Sequence, residues 1–291
     1  MFLRIARAGQ STQVLNNKIG QAVNVEGDPT WIDADGGTES TSGDYKIHTY
    51  NSSANFVVNS VGNGDRNLVE YLVIAGGGGG YCAGGGAGGM LSGVDHEVSV
   101  QTYGITVGAG GYSGQCNVNG HGDNGIGENS VFDSITSTGG GFGGGAGAAN
   151  NTAGGSSGGA GGNYTANSGF PQSSVTPDQG NNGGKSDLLN SQKSGGGGGS
   201  GAVGGNAADG MLGGNGSASS ISGSAVTYAG GGGGSASSNQ GGTSGNGGTG
   251  GGGSAGGAGT ANLGGGGSGM NDSVRAGYGG SGIVIIRYKF Q

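Results

Sequence analysis

Hydrophobic and polar residues alternate with the two-residue period of β-strands in the first third of the chain. This alternation is clear in residues 45–50 and 54–58. Residues 69–75 form instead a nearly continuous apolar run, which is typical of a strand buried on both faces. Two further strands are predicted in residues 98–107 and 130–136. The pattern therefore predicts a small β-domain.

The most strongly β-prone segment is residues 282–290, with the sequence GIVIIRYKF. A strand of this composition would promote aggregation if it lay at an uncovered sheet edge. We therefore predict that residues 283–288 pair beside residues 71–75, the other segment that needs cover on both faces. This pairing would close the β-domain and make the chain between the two strands one long excursion from it.

Runs of glycine, separated by Ser, Asn, Thr and Ala, fill this excursion. The longest runs in it are residues 195–199 and 230–234, followed by residues 250–253 and 264–267, and residues 76–80 form an earlier run. Glycine costs about 1 kcal/mol per helical residue relative to alanine, so no α-helix is expected. Collagen is excluded because the chain has only three prolines and no strict triplet. The remaining regular structure is a parallel and antiparallel bundle of extended, threefold polyglycine-II helices, in which backbone hydrogen bonds replace a hydrophobic core.

The predicted fold is thus all-β and irregular, with three parts. Residues 31–138, completed by 281–291, form the small β-domain and the first glycine runs, while residues 139–280 form the inserted polyglycine-II bundle with variable loops. Residues 1–30 have no glycine runs and are interpreted as an N-terminal attachment arm. Its attachment candidates are Phe2, Leu3 and Ile5, by burial or strand addition. The alternative is that this segment is a strand of the following domain.

Composition excludes several classes of partner. The chain has 84 glycines among 291 residues, 31% hydrophobic residues and a net charge of −7. Ten basic residues cannot build the stripe that neutralises nucleic-acid phosphates. No apolar run approaches the roughly 20 residues of a membrane span. Arg4 and Arg7 stand where a signal peptide would have its apolar stretch. We therefore expect synthesis in a cytoplasm, where the protein either stays or from which it leaves by lysis or a dedicated export route.

Candidate chemistry is sparse. The three histidines are far apart and lack the spacing of metal ligands, and the carboxylates are scattered. We therefore expect no enzymatic activity, no cofactor and no metal. Cys82 and Cys116 are the two cysteines. They form either a disulfide or two isolated thiols, and a reducing cytoplasm favours the isolated thiols.

Aromatic residues in the polar segments between glycine runs are the best candidates for binding. They either cover the flanks of the bundle or are exposed anchors, as in antibody loops rich in Ser, Gly and Asn. The longest such segments are residues 163–193, 206–229 and 270–278. Their aromatic and arginine side chains are the receptor-binding candidates: Tyr164, Phe170, Tyr228, Arg275 and Tyr278.

The order of these motifs resembles the glycine-rich domain of phage tail and fibre proteins, over roughly residues 40–290. The motifs are YLVIAGGGGG at 71–80, ITVGAGG at 105–111, NSVF at 129–132, further glycine runs, and GGSGIVIIRY at 279–288. The chain is also similar in architecture to the distal tail-fibre adhesins of T-even-type phages, which stack polyglycine-II helices and bind the host surface through connecting loops.

This resemblance implies a virion protein at a tail fibre or fibre tip. Its partners would be other tail or fibre proteins, through residues 1–30, and a host surface polysaccharide or outer-membrane protein. A homo-oligomer is compatible with the resemblance. Two alternatives remain open: a purely structural virion component, such as a fibre segment, collar or decoration, and an extracellular or ice-binding glycine-rich protein.

Overall fold

The computed structural model describes residues 30–64, 66–114, 125–145, 152–162, 175–187, 193–236, 243–270 and 275–291. In these ranges the regular structure is β-strand apart from a 3₁₀ turn at Ala207–Asp209. Phe2, Leu3 and Ile5 lie outside the described residues, as does the proposed attachment arm up to residue 29.

The strands form two five-stranded antiparallel sheets and a hairpin, and none of these closes into a barrel within the described ranges. The strands are β1 (Asp33–Asp35), β2 (Thr38–Ser42), β3 (Tyr45–Tyr50), β4 (Ala54–Ser60), β5 (Leu68–Ile74), β6 (Met90–Glu97), β7 (Thr102–Thr106), β8 (Ser130–Phe132), β9 (Ile135–Ser137), β10 (Ser217–Ser219), β11 (Val226–Tyr228) and β12 (Ile283–Lys289). The first sheet has the order β1-β4-β7-β8-β9 and the second β2-β3-β12-β5-β6. Strands β10 and β11 form the hairpin.

Strand β12 lies at the centre of the second sheet, between β3 and β5. Ile285 is opposite Thr49 on one side and Leu72 on the other. The predicted pairing of residues 283–288 with residues 71–75 is therefore confirmed. Residues 283–286 of β12 are all buried, which agrees with the apolar character of both faces.

The space between the two sheets contains an aromatic core. Phe56 on β4 lies edge-to-face with Phe132 on β8 at a centroid distance of 6.3 Å, and Tyr288 on β12 is 6.4 Å from Phe56. Val284 and Ile286 of β12 belong to the same cluster. Alternate residues of β12 thus bind the two sheets together, because successive side chains of a strand point to opposite faces.

The outer face of the second sheet is covered by the β10–β11 hairpin. Ile283 and Ile285 pack there with Ile221, Tyr228 and Ala229. All five of these residues are at least nine-tenths buried. The second sheet is therefore covered on both faces, which explains the continuous apolar runs in its central strands.

The sequence predicted where several strands lie but not which strands pair with one another. The alternating segments 45–50 and 54–58 are strands β3 and β4, but they belong to different sheets. The turn at residues 51–53 therefore carries the chain from one sheet to the other. Strand β6 was not predicted. It lies at a sheet edge with mostly exposed or half-buried residues, so its sequence has no clean alternation.

The glycine-rich segments extend from the ends of these strands as a second, continuous body. We call each extended segment a row and the whole array the glycine lattice. Its rows lie within residues 75–89, 108–114, 125–129, 138–145, 152–162, 175–187, 193–216, 229–236, 243–270 and 275–282. Every residue from 72 to 89 is buried, although most of those beyond residue 75 have no side chain. The lattice is therefore held by contacts of the backbone.

Hydrogen bonds in the lattice repeat every three residues. Gly76 and Gly79 donate to row 125–128, Gly77 and Gly80 to row 277–280, and Gly78 and Tyr81 to row 83–86. The carbonyl oxygens of the same six residues accept hydrogen bonds from rows 140–143, 111–114 and 267–270. Each of these rows again bonds to two residues that are three positions apart. This row is consequently bonded to six neighbours, which no pleated strand can do because its donors and acceptors lie in one plane.

Two other runs have the same three-residue repeat. In row 195–199, the first and fourth residues donate to residues 157–160, and the second and fifth donate to residues 202–205. In row 230–234, the corresponding partners are residues 250–253 and 211–214. The rows run both parallel and antiparallel to their neighbours, because partner numbers rise with the row in some pairs and fall in others.

Residues 250–253 do not form one regular row. Gly250 and Gly251 have φ angles of 92° and 96°, which place them in a turn. The prediction of a regular extended run is wrong at these two residues. The positive φ angles favour glycine at both residues.

We predict that one methyl group in the lattice destabilises the protein. A Cβ on Gly78 would lie 2.1 Å from the carbonyl oxygen of Gly141, so Gly78→Ala should lower the free energy of unfolding by about 1–3 kcal/mol or more. A Cβ on Gly104 in β7 meets nothing within 4 Å. Gly104→Ala is therefore the matched control, with no loss or a gain of about 0.5–1 kcal/mol. Urea denaturation of both variants measures this, and equal stability would contradict the account.

Candidate binding surface

The glycine lattice has one end at the sheets and one end away from them. Row 76–80 leaves β5, and row 84–89 returns to β6. The residues between these rows, Tyr81, Cys82 and Ala83, therefore lie at the end remote from the sheets. We call this the distal end.

Several rows are tied together at the distal end by polar contacts with the turn at residues 81–83. The Met270 N–H donates to the Tyr81 carbonyl at 2.7 Å. The buried hydroxyl groups of Ser194 and Ser235 both donate to the Cys82 carbonyl at 2.6 Å. The Cys82 N–H donates to the Gly144 carbonyl at 3.2 Å. Two buried serine hydroxyls thus provide hydrogen bonds to the Cys82 carbonyl in the turn.

These contacts bring the ends of five rows together. The rows that end at residues 114, 145, 236 and 270, and the row that begins at residue 193, all meet around residues 80–83. The segments that continue from them, residues 115–124, 146–151, 188–192, 237–242 and 271–274, are outside the described residues. Five described rows therefore end or begin at the distal end.

An exposed aromatic pair lies on the flank of the lattice. The rings of Tyr112 and Tyr278 are 5.9 Å apart with an interplanar angle of 73°, and the side chains are 62% and 53% exposed. The rows are held together by the Gly279 N–H, which donates to the Gly111 carbonyl at 2.9 Å. Arg275, three residues before Tyr278 in the same row, is also exposed. Two of the predicted receptor-binding residues are therefore accessible and close in sequence, and Tyr112 joins them.

The prediction that Tyr228 is an exposed loop anchor is wrong. Tyr228 is 3% exposed, lies on β11 opposite Ser217, and packs on the outer face of the second sheet. Burial raises the pKa of its hydroxyl above the ordinary value. Residues 206–229 are thus not one loop, because the β10–β11 hairpin covers a sheet face at the opposite end from residues 81–83.

The predicted loop at residues 163–193 also includes part of the lattice. Within residues 163–193, the described part 175–187 contributes to the lattice, where the Gly184 N–H donates to the Gly196 carbonyl at 2.7 Å. Tyr164 and Phe170 lie outside the described residues.

Cys82 is disulfide-bonded. The interpretation of two isolated thiols is therefore wrong for this residue. Cys116, the other cysteine of the chain, lies outside the described residues. The disulfide adds a covalent link to the polar contacts that hold the distal end.

The most strongly perturbed titratable groups lie in the aromatic core and not at the distal end. His48 is fully buried, with Nδ1 2.7 Å from the Gly36 carbonyl and Nε2 3.0 Å from the Tyr288 hydroxyl. Because a carbonyl only accepts, Nδ1 carries the proton and Nε2 accepts from Tyr288. Burial lowers the pKa of His48, and burial raises the pKa of Tyr288 well above the ordinary range. His48 and Tyr288 are therefore both neutral, and their hydrogen bond joins β3 to β12.

Metal ligands and membrane spans are absent from the described part of the chain. No group of three or more His, Cys, Asp or Glu side chains there is close enough to hold a metal ion. No helix among the same residues is both long and apolar enough to cross a bilayer.

The chain belongs to the glycine-rich domain family, whose model matches residues 59–289. The match includes β5, the glycine lattice and β12, which are the elements that carried the resemblance seen in the sequence. None of the curated proteins matches the chain.

We predict that acid destabilises the fold through His48. Its folded pKa lies below the ordinary value of 6.5, so the unfolded chain binds a proton first as the pH falls. Stability contributed by this residue should be complete above pH 6.5 and decrease below it, by at most about 1.4 kcal/mol per pH unit. Urea unfolding between pH 7.5 and 5 measures this. His48→Gln should flatten the dependence, and an unchanged slope would contradict the assignment.

Proposed function

We propose that the protein is a virion component, a tail-fibre or fibre-tip protein, that binds a host cell surface with the distal end of its glycine lattice. The observation that carries this proposal is the meeting of five row ends around residues 80–83, at the end of the lattice remote from the sheets. Binding residues are commonly found on loops that a rigid scaffold positions. Such an arrangement is suited to recognition rather than catalysis.

We further infer that the glycine lattice is a bundle of polyglycine-II helices. The three-residue repeat of the hydrogen bonds and the six neighbours of row 76–80 support this, because a threefold helix directs successive N–H groups about 120° apart. Five residues of such a helix extend over about 15 Å. Adjacent helices cross-linked in several directions would form a stiff support for the distal segments.

A high-resolution crystal structure tests this inference directly. We expect φ near −75° and ψ near +145° in residues 76–80, 195–199 and 230–234, as in polyproline II. The values of pleated strands, or rows without neighbours on several sides, would contradict the inference. Residues 250 and 251 serve as an internal comparison, because their positive φ angles mark a turn.

Several features favour a polar receptor, such as a surface polysaccharide or an exposed loop of an outer-membrane protein. Tyr112 and Tyr278 present rigid aromatic surface, and Arg275 adds a planar cation. Tyrosine and arginine contribute a large share of the binding energy at many interfaces. A support that is already ordered loses little entropy on contact. The particle would be assembled in the host cytoplasm and released by lysis.

We predict that Tyr112→Ala, Arg275→Ala and Tyr278→Ala each weaken attachment to host cells tenfold or more, on the order of 1.4 kcal/mol. Retention of the labelled chain on cells of the host strain measures this, together with adsorption of particles that carry the variants. Val94→Ala is the matched control, since Val94 is 65% exposed but lies on β6. Particle assembly should be unchanged in all four variants.

The outcome that would overturn receptor binding is normal attachment by all three variants. Imaging of the particle adds a second criterion. If the distal end lies against neighbouring subunits instead of pointing outward, the protein is a structural component such as a fibre segment, collar or decoration.

A further inference from the structure

A polar pocket of about 630 Å³ lies at the end of the β-domain that faces away from the glycine lattice. It is bounded by the beginnings of β3 and β5 and by the end of β12. Among its lining residues are Trp31, Tyr45, Arg66, Leu68, Arg287 and Lys289. Its size falls within the range of roughly 300–1,000 Å³ that is usual for ligand pockets. The lattice and the pocket therefore occupy opposite ends of the β-domain.

Cationic side chains outnumber carboxylates in the lining of this pocket by three to two. Arg66, Arg287 and Lys289 are three of the ten basic residues in a chain whose net charge is −7. Arg287 is neutralised by Glu70, whose carboxylate accepts from Nε and Nη2 at 2.9 and 2.7 Å. Lys289 is exposed and forms no ion pair with any residue in the described ranges. Asp95 is the remaining carboxylate of the lining, so cations are in excess.

Two aromatic rings of the pocket, Trp31 and Tyr45, each have a cation over one face. The guanidinium of Arg66 lies 4.9 Å above the Trp31 ring, and that of Arg287 lies 4.7 Å above the Tyr45 ring. The covered face of each ring is therefore not available for stacking with a sugar ring. The remaining surface combines cationic nitrogens with the aliphatic side chain of Leu68. This combination suits a carboxylate next to an apolar side chain, because guanidinium groups bind carboxylates in matched, planar geometry.

We propose that the polar pocket binds an acidic peptide segment, with a carboxylate adjacent to an apolar side chain, from another protein of the assembly. The identity of that assembly rests on the proposed function. With the distal end directed at the host, the opposite end of the chain faces the particle. Arg66 and Lys289 provide the contacts to the carboxylate, and Arg287 holds the Tyr45 side of the pocket in place through Glu70.

Trp31 supplies an intrinsic reporter, because it is the only tryptophan in the chain and it lines the pocket. The full chain is titrated with the acetylated, amidated peptide Asp-Leu-Glu-Leu, with its neutral counterpart Asn-Leu-Gln-Leu, and with glucuronic acid. We expect a saturable change in Trp31 fluorescence with the acidic peptide. Binding of the neutral peptide should be at least tenfold weaker, and binding of the acidic peptide should weaken as the salt concentration rises.

Variants distinguish binding in the pocket from nonspecific attraction of the acidic peptide to positive charge elsewhere on the protein. Lys289→Gln and Arg66→Gln should each weaken binding of the acidic peptide tenfold or more. Calorimetry serves as the readout for Arg66→Gln, because this substitution also changes the surroundings of Trp31. Lys185→Gln, which removes an exposed cation in the lattice, is the matched control and should bind normally.

Three results would overturn the proposal. They are the absence of saturable binding by the acidic peptide, equal binding of the acidic and neutral peptides, and tighter binding of glucuronic acid, which would assign the pocket to acidic saccharides. Tyr278→Ala should leave peptide binding unchanged. A failure of receptor binding at the distal end and a failure at the pocket are therefore distinguishable.

Discussion

The close approach of one backbone to another, which requires the absence of Cβ atoms, is the constraint on which this structure depends. Along row 76–80, a Cβ at any position would lie 1.8–2.1 Å from a carbonyl oxygen of a neighbouring row. The rows therefore approach closely enough to hydrogen-bond in several directions. Each bond contributes only about 1 kcal/mol net, and glycine loses more conformational freedom on ordering than any other residue. Such a lattice requires many bonds at once and firm anchors at its ends.

The β-sandwich provides those anchors. Strand β5 leads directly into row 76–80, and row 275–282 leads directly into β12. Because β5 and β12 are hydrogen-bonded neighbours in the second sheet, the first and last of these rows start from fixed, adjacent positions. The aromatic core and the β10–β11 hairpin cover the two faces of that sheet. The hydrophobic part of the molecule is thus small. It fixes the positions from which the rows of the larger glycine lattice begin.

The two ends of the molecule differ in chemistry as a result. At the distal end, buried serine hydroxyls bond the turn at residues 81–83, and on the flank of the lattice the Tyr112–Tyr278 pair and Arg275 are exposed. At the opposite end, strand ends from β3, β5 and β12 bring aromatic and basic side chains into one pocket. The two proposed binding sites would therefore lie on different parts of one molecule, with different side-chain chemistry.

The sequence by itself determined the β-domain, the pairing of β12 with β5 and the absence of helix from the glycine runs, because these follow from local periodicity and from the need to cover apolar faces. It did not determine which sheet each strand joins, since β3 and β4 have the same alternation but pair with different neighbours. Nor did it distinguish buried Tyr228 from exposed Tyr278, although both lie near glycine runs. Burial of these side chains depends on contacts between residues distant in sequence, and only the tertiary structure decided them.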